Sequence, residues 1–168
     1  GNLSDSGSLG VSVSATGSGL SYVTDCVRGS YALSFTGNNT SRNTANNASK
    51  SYISFTASLS FPYTVCVWIN IAAAPTDNAG WINMVTPNNC IFSLYNSSHH
   101  IIGTYMSSVN YFPSGPVSSY NTWIHYAYVI NSTTSVSSYI NGQLVQTGSV
   151  APAFSSSSPQ SILFELGW

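Results

Sequence analysis

The sequence predicts an all-β fold, a two-sheet antiparallel sandwich or jelly roll, and three observations carry that prediction. Stretches such as "SYISFTA" (51–57) alternate apolar and polar residues with the two-residue period of a half-buried strand. Those stretches are rich in Val, Ile, Tyr, Phe and Thr, the residues that suit a pleated surface. No apolar pattern at i, i+3, i+4 and i+7 is sustained anywhere, so there is no amphipathic helix to place.

The elements follow in order. Residues 1–20 are rich in Gly and Ser, with weak alternation at Val11 and Val13, and read as either a lead-in strand or a linker. "YALSFT" (31–36) alternates cleanly, and "SYISFTA" sets Ile53, Phe55 and Ala57 on one face against Ser54 and Thr56 on the other. "YTVCVWIN" (63–70) is apolar on both faces, which predicts a central strand covered on both sides. Three short strands are expected near 80–85, 90–95 and 100–106, separated by "TPNN" and "NSSHH". "WIHYAYVI" (123–130) and "VSSYI" (136–140) give two more, and after Asn141-Gly142 the chain resumes with "QLVQTG". Asn-Gly between two such runs predicts a tight hairpin, because both turn residues need positive φ. The Ser- and Asn-rich segments 37–50 and 154–161 read as surface loops. Neither a repeat nor a domain boundary interrupts this pattern, so residues 1–168 are expected to form a single domain.

Composition narrows the function. Hydrophobic residues make up 43% and aromatics 13%, a folding sequence. Only 4% of residues are charged, against roughly a quarter in ordinary domains. With three Lys and Arg in total, the chain has no electrostatic footprint for nucleic acid or an anionic membrane. No apolar run approaches the ~18 residues of a spanning helix, so membrane insertion is not expected. No signal peptide opens the chain; a start at Gly1-Asn2-Leu3 without Met suggests a processed chain or a piece of a longer one.

Solubility must then come from Ser, Thr and Asn, or from groups attached to them. Asn-x-Ser/Thr triplets occur at Asn2, Asn38, Asn39, Asn47, Asn96 and Asn131, mostly in expected loops, and point to a glycosylated outer surface. Cys26, Cys66 and Cys90 have no CxxC spacing, which leaves no thiolate metal site. They form either one pair with a leftover thiol or three free thiols. Cys66, inside an apolar strand, is expected to be a small core residue.

Three motifs add a resemblance. "RGSYALSFTGNNTS", "FPYTVCVWINIAAAP" and "NTWIHYAYVINSTTSVSSYINGQLVQTG" occur in that order. They resemble the Gly-x-x-Ala-Leu-x-Phe-x-Gly opening, the Trp-Ile/Val strand and the Trp-x-His…Tyr-x-Asn-Gly hairpin of concanavalin A-like, laminin-G-like domains. The resemblance implies a jelly-roll sandwich on an extracellular, cell-surface or virion-surface module, binding a glycan or a surface protein. It allows calcium as a cofactor. Here, however, Gly37 leads into "NNTSRNT", and no carboxylate lies between Asp25 and Asp77, so the acidic ligand is missing. Such domains also continue beyond a Leu-Gly like Leu166-Gly167, which implies a last strand supplied by further sequence or by a partner.

Catalysis has little to work with. Glycoside hydrolysis needs two carboxylates at a defined separation, and Asp5, Asp25, Asp77 and Glu165 are scattered. There is no Gly-x-Ser-x-Gly elbow for a serine nucleophile. His99 and His100 would point to opposite faces of a strand and cannot share one metal ion there. Trp123 and His125 share a face: as a site they are an aromatic platform with an imidazole, as scaffold a core Trp beside a buried His. The resemblance favours scaffold. Sugar recognition asks for exposed aromatics with amide groups, and Trp81, Tyr105, Asn110 and Tyr111 near expected loops are the candidates, with core packing as their competing role. The expected function is non-catalytic recognition or adhesion, of carbohydrate first. The alternative is a structural component packed against neighbouring subunits of a larger assembly, such as a virion capsid.

Overall fold

The computed structural model describes residues 10–36, 51–72, 79–85, 90–95, 101–106, 109–116, 120–132, 134–148 and 160–167. Among these the regular structure is all strand, and no helix is long and apolar enough to cross a membrane. The strands are β1 (Ser14–Thr16), β2 (Leu20–Val23), β3 (Ala32–Phe35), β4 (Tyr52–Leu59), β5 (Tyr63–Asn70), β6 (Ala79–Val85), β7 (Cys90–Tyr95), β8 (Ile101–Met106), β9 (Val109–Pro116), β10 (Trp123–Ser132), β11 (Ser135–Ile140), β12 (Gln143–Gly148) and β13 (Gln160–Leu166).

They build a seven-stranded sheet in the order β1-β4-β13-β6-β7-β8-β9, a four-stranded sheet β12-β11-β10-β5 and a separate β2-β3 hairpin, with every pairing antiparallel. The two larger sheets form a sandwich, with β9 running alongside β11 and β12.

The core lies between them and follows from alternation. On β10, Ile124, Tyr126, Tyr128 and Ile130 are buried while the residues between them are only partly so. Their cross-strand partners Ile69, Val67, Val65 and Tyr63 on β5, with Val136 on β11, extend this inner face. The facing sheet contributes Ala57, Ile162 and Phe164, and Phe55 stacks on Phe164 with ring centroids 5.0 Å apart. Each fully buried Ile, Val or Phe side chain among these contributes about 1.5–3 kcal/mol.

The hairpin is closed as its sequence predicts. Asn141 and Gly142 have φ of 50° and 80°, the pair of left-handed conformations a primed turn requires. Asn141 also clamps β10 where β11 has ended: its N–H donates to His125 O (2.8 Å), and its Oδ1 accepts the His125 N–H (2.9 Å).

Several expectations are corrected. β5 is an edge strand of its sheet, not a central one; Tyr63, Val65, Val67 and Ile69 face the core, and Thr64, Cys66, Trp68 and Asn70 are exposed. Cys66 is accordingly an exposed free thiol rather than a core residue, and Cys26 is free as well. The lead-in segment supplies β1, which pairs with β4. Gln160 and Ser161, expected in a loop, begin β13, which lies between β4 and β6; residues 154–159 and 37–50 lie outside the described residues. β9 was not expected; it carries Pro113 and Pro116. It occupies a sheet edge, where a strand tolerates a missing N–H donor, and the β8–β9 register shifts on either side of Gly103, opposite Pro113.

Candidate functional site

The outward face of the four-stranded sheet carries the chemistry. The β5–β10 register sets Trp123 opposite Asn70, His125 opposite Trp68 and Ala127 opposite Cys66. Since Ile124, Tyr126 and Tyr128 point into the core, these three pairs point away from it. Trp68 is 38% exposed, and the His125 ring lies against it with centroids 5.0 Å apart, tilted at 49°. On the far side of β10, Ala127 pairs with Tyr139, which pairs with Leu144, extending the same face to β12.

Trp123 and His125 are therefore neither the core Trp nor the buried His of the scaffold reading. Both are partly buried on the outward face, and the inward positions of their strand belong to Ile124 and Tyr126. The strand's parity decides this: a Trp-x-His pair follows whichever face the intervening residues leave. His125 keeps a framework role only through its backbone, which Asn141 holds.

At the rim, the Trp123 Nε1–H donates to Asp25 Oδ1 at 3.1 Å. This bond ties the segment after β2 to the start of β10, 98 residues later in the chain. The resulting face offers an indole surface, an imidazole, the Asn70 amide and a carboxylate with acceptor capacity to spare. Those groups can stack on an apolar face of a ligand and bond its hydroxyls.

The sequence candidates fall elsewhere. Trp81 is in β6, Tyr105 in β8, and Asn110 and Tyr111 in β9, all on the seven-stranded sheet, with Tyr105 and Asn110 one pair from the end of the β8–β9 ladder. Register puts Tyr105 opposite Asn110 and Thr104 opposite Tyr111, while Trp81 lies two strands from β8. Trp68 was missed, although its signal was legible: in an alternating strand, Cys66, Trp68 and Asn70 share one face, and Val65, Val67 and Ile69 already fill the other.

Of the sequon asparagines, Asn131 is exposed, where the β10–β11 register shifts between Ile130 and Ser132. Asn2, Asn38, Asn39, Asn47 and Asn96 lie outside the described residues, as do His99 and His100. Among the described residues no three His, Cys, Asp or Glu groups converge on a metal position. The run after Gly37 offers amide and hydroxyl oxygens but no carboxylate, the charged ligand around which calcium sites are built. Cys66 lies diagonal to His125, but the imidazole packs on Trp68.

A laminin G-type family model, described as the concanavalin A-like lectin/glucanases superfamily, matches residues 42–167. The chain belongs to this superfamily. Among curated proteins, no sequence matches it. Solved structures resemble it in fold at low identity. The cellulose induced protein Cip1 is 14% identical with a TM-score of 0.59, covering 94% of this chain and 82% of that one. Domain 4 of AbnA, a GH43 extracellular arabinanase from Geobacillus stearothermophilus solved in complex with arabinotriose, is 14% identical with a TM-score of 0.54, covering 99% and 87%. A botulinum neurotoxin type C structure, described by its dependence on two ganglioside molecules for cell entry, is 16% identical with a TM-score of 0.53; the match covers 99% of this chain and 40% of that one.

Proposed function

We propose that the chain is a non-catalytic carbohydrate-binding module acting outside the cell, with the outward face around Trp68 and His125 as its binding surface. The observation that carries this is an exposed tryptophan, backed by an imidazole, on a sheet face whose other side already forms the core. An indole left in water on a chain with 4% charged residues is a solubility liability unless something covers it. The arabinotriose complex of the AbnA domain supports a saccharide as that cover. Asn131 is proposed as a glycan acceptor on the same sheet.

The test is affinity electrophoresis and titration calorimetry against arabinan, xylan, mannan and soluble β-glucan, with wild type, Trp68→Ala and His125→Ala. At least one polymer should bind, and Trp68→Ala should weaken it about tenfold or more, roughly 1.4 kcal/mol, with the unfolding midpoint little changed. Wild-type affinity in the Trp68 variant would refute the assignment.

A second reading has its own observation. On edge strand β12, Leu144 is 56% exposed and Val145 is exposed beside it, an apolar edge suited to packing in a larger assembly. Sedimentation of wild type against a Leu144→Lys, Val145→Lys variant separates the two. A monomer unaffected by the change would leave this reading without support.

A further inference from the structure

We infer that the ligand is an internal stretch of a neutral polysaccharide, held along a strip that continues from Trp68 and His125 across Trp123 and Asp25 to an aromatic pair, Tyr22 and Tyr31. This rests on the carbohydrate-binding reading and deepens it.

The second aromatic surface is built by the β2-β3 hairpin, which lies outside the residues matched by the family model. Its register pairs Leu20 with Phe35 and Tyr22 with Leu33, so these four side chains share one face. Phe35 packs on Gly167 at the end of β13, which identifies that face as the one turned toward the sandwich. The base of the hairpin is pinned there: Thr36 N–H donates to Gly19 O (2.7 Å), and Gly19 N–H donates to the buried Ser51 Oγ (2.8 Å). Further out, the same face ends in Tyr22 and Tyr31, 40% and 52% exposed, with ring centroids 6.3 Å apart and planes at 73°. An edge-to-face pair leaves ring surface open to a ligand while fixing both rings.

Asp25 joins the two surfaces. It lies three residues beyond Tyr22, at most about 10 Å of chain, and bonds the Trp123 indole. Trp123 and His125 are two positions apart on one strand, about 7 Å, and His125 meets Trp68. The run from Tyr22 to Trp68, linked by short chain steps, one hydrogen bond and one ring contact, is thus up to roughly 25 Å long, with aromatic surface at both ends and hydrogen-bonding groups between. Such a strip suits a run of linked rings rather than one terminal sugar. Neutrality follows from charge: of the three Lys and Arg in the sequence only Arg28 lies between Tyr22 and Tyr31, and the Asp25 carboxylate in the same segment offsets it, so a uronate or sulfated polymer would find almost no net counter-charge.

The test measures wild-type affinity, by titration calorimetry, for linear arabino-, xylo- and cello-oligosaccharides from disaccharide to hexasaccharide, with polygalacturonate and heparin as acidic controls. Affinity for one neutral series should climb with length and then level off. A combined Tyr22→Ala, Tyr31→Ala variant should lose about tenfold or more on the longest member and keep the affinity for the shortest. Trp68→Ala should weaken all lengths. Equal wild-type affinity for disaccharide and hexasaccharide would overturn the strip and needs no variant to show it. A tyrosine variant that binds every length normally, or tighter binding of an acidic control, overturns it too. If Trp68→Ala also binds normally, the carbohydrate-binding face itself is wrong; if Trp68→Ala alone weakens binding, that face stands without the strip.

Discussion

Asn141 offers the most direct measurement of how the Asn-Gly turn holds the site, because its two contributions can be removed separately. Its Oδ1 accepts the His125 N–H at 2.9 Å, and its backbone sits at φ 50°. Asn141→Ala deletes the acceptor, worth about 0.5–1.5 kcal/mol, and leaves alanine in a left-handed conformation that disfavours it by roughly 1 kcal/mol or more. The sum is about 2 kcal/mol, or roughly 4–8 °C in Tm for a domain of this size. Asn141→Gly removes the bond but relieves the backbone, so about 1 kcal/mol should remain. Asn141→Asp keeps both an acceptor and tolerance of the left-handed region, and should stay near wild type. Urea unfolding followed by tryptophan fluorescence gives the three values. The expected order of stability is Asp, then Gly, then Ala. A glycine variant no more stable than alanine would show that the backbone conformation contributes nothing. An aspartate variant as unstable as alanine would remove the side-chain bond from the account.

Two further outcomes test the packing and the exposure of the proposed face. Gly167→Ala should destabilise strongly: a Cβ there overlaps the Phe35 ring, and φ is +89°, so overpacking of roughly 1–3 kcal/mol adds to about 1–2 kcal/mol of backbone cost. Differential scanning calorimetry checks it, and a Tm within a degree or two of wild type would mean the hairpin does not pack on β13 as described. Cys66, exposed beside Trp68, should react with a thiol reagent in the folded protein and more slowly when a saccharide ligand is bound. Labelling that needs denaturant would place Cys66, and with it that face of β5, inside.

Much of the fold was legible because period-two alternation and turn chemistry are local signals. β4 illustrates it: the predicted Ile53, Phe55 and Ala57 face is the one that meets Phe164 and Ile162. What alternation does not encode is which strand lies at an edge. β5 carries apolar residues on both faces, and burial under two layers was the simplest reason for that; the sheet order instead leaves Cys66 and Trp68 on the outside. β9 carries two prolines, which exclude a central strand but not an edge one. The site was less legible still. Its groups come from β2, the segment after it, β5 and β10, and the Asp25–Trp123 bond spans 98 residues, a distance no local pattern reports.

The scarcity of charge links the fold to the proposed site. Both edge strands of the four-stranded sheet, β5 "YTVCVWIN" and β12 "QLVQTG", lack the Lys or inward-turned charge with which sheet proteins usually blunt an open edge. If outward residues served only solubility, Ser, Thr and Asn would fill them, as they fill the outer face of β4 at Ser54, Thr56 and Ser58. On the outward face of the four-stranded sheet Thr64, Asn70 and Ser137 share the surface with Trp68, His125, Trp123 and Tyr139. The outer face of β4 therefore follows the polar rule, and the face around Trp68 breaks it. That contrast is internal to the molecule and independent of any relative. It is why a bound ligand, rather than chance exposure, is the better account of Trp68.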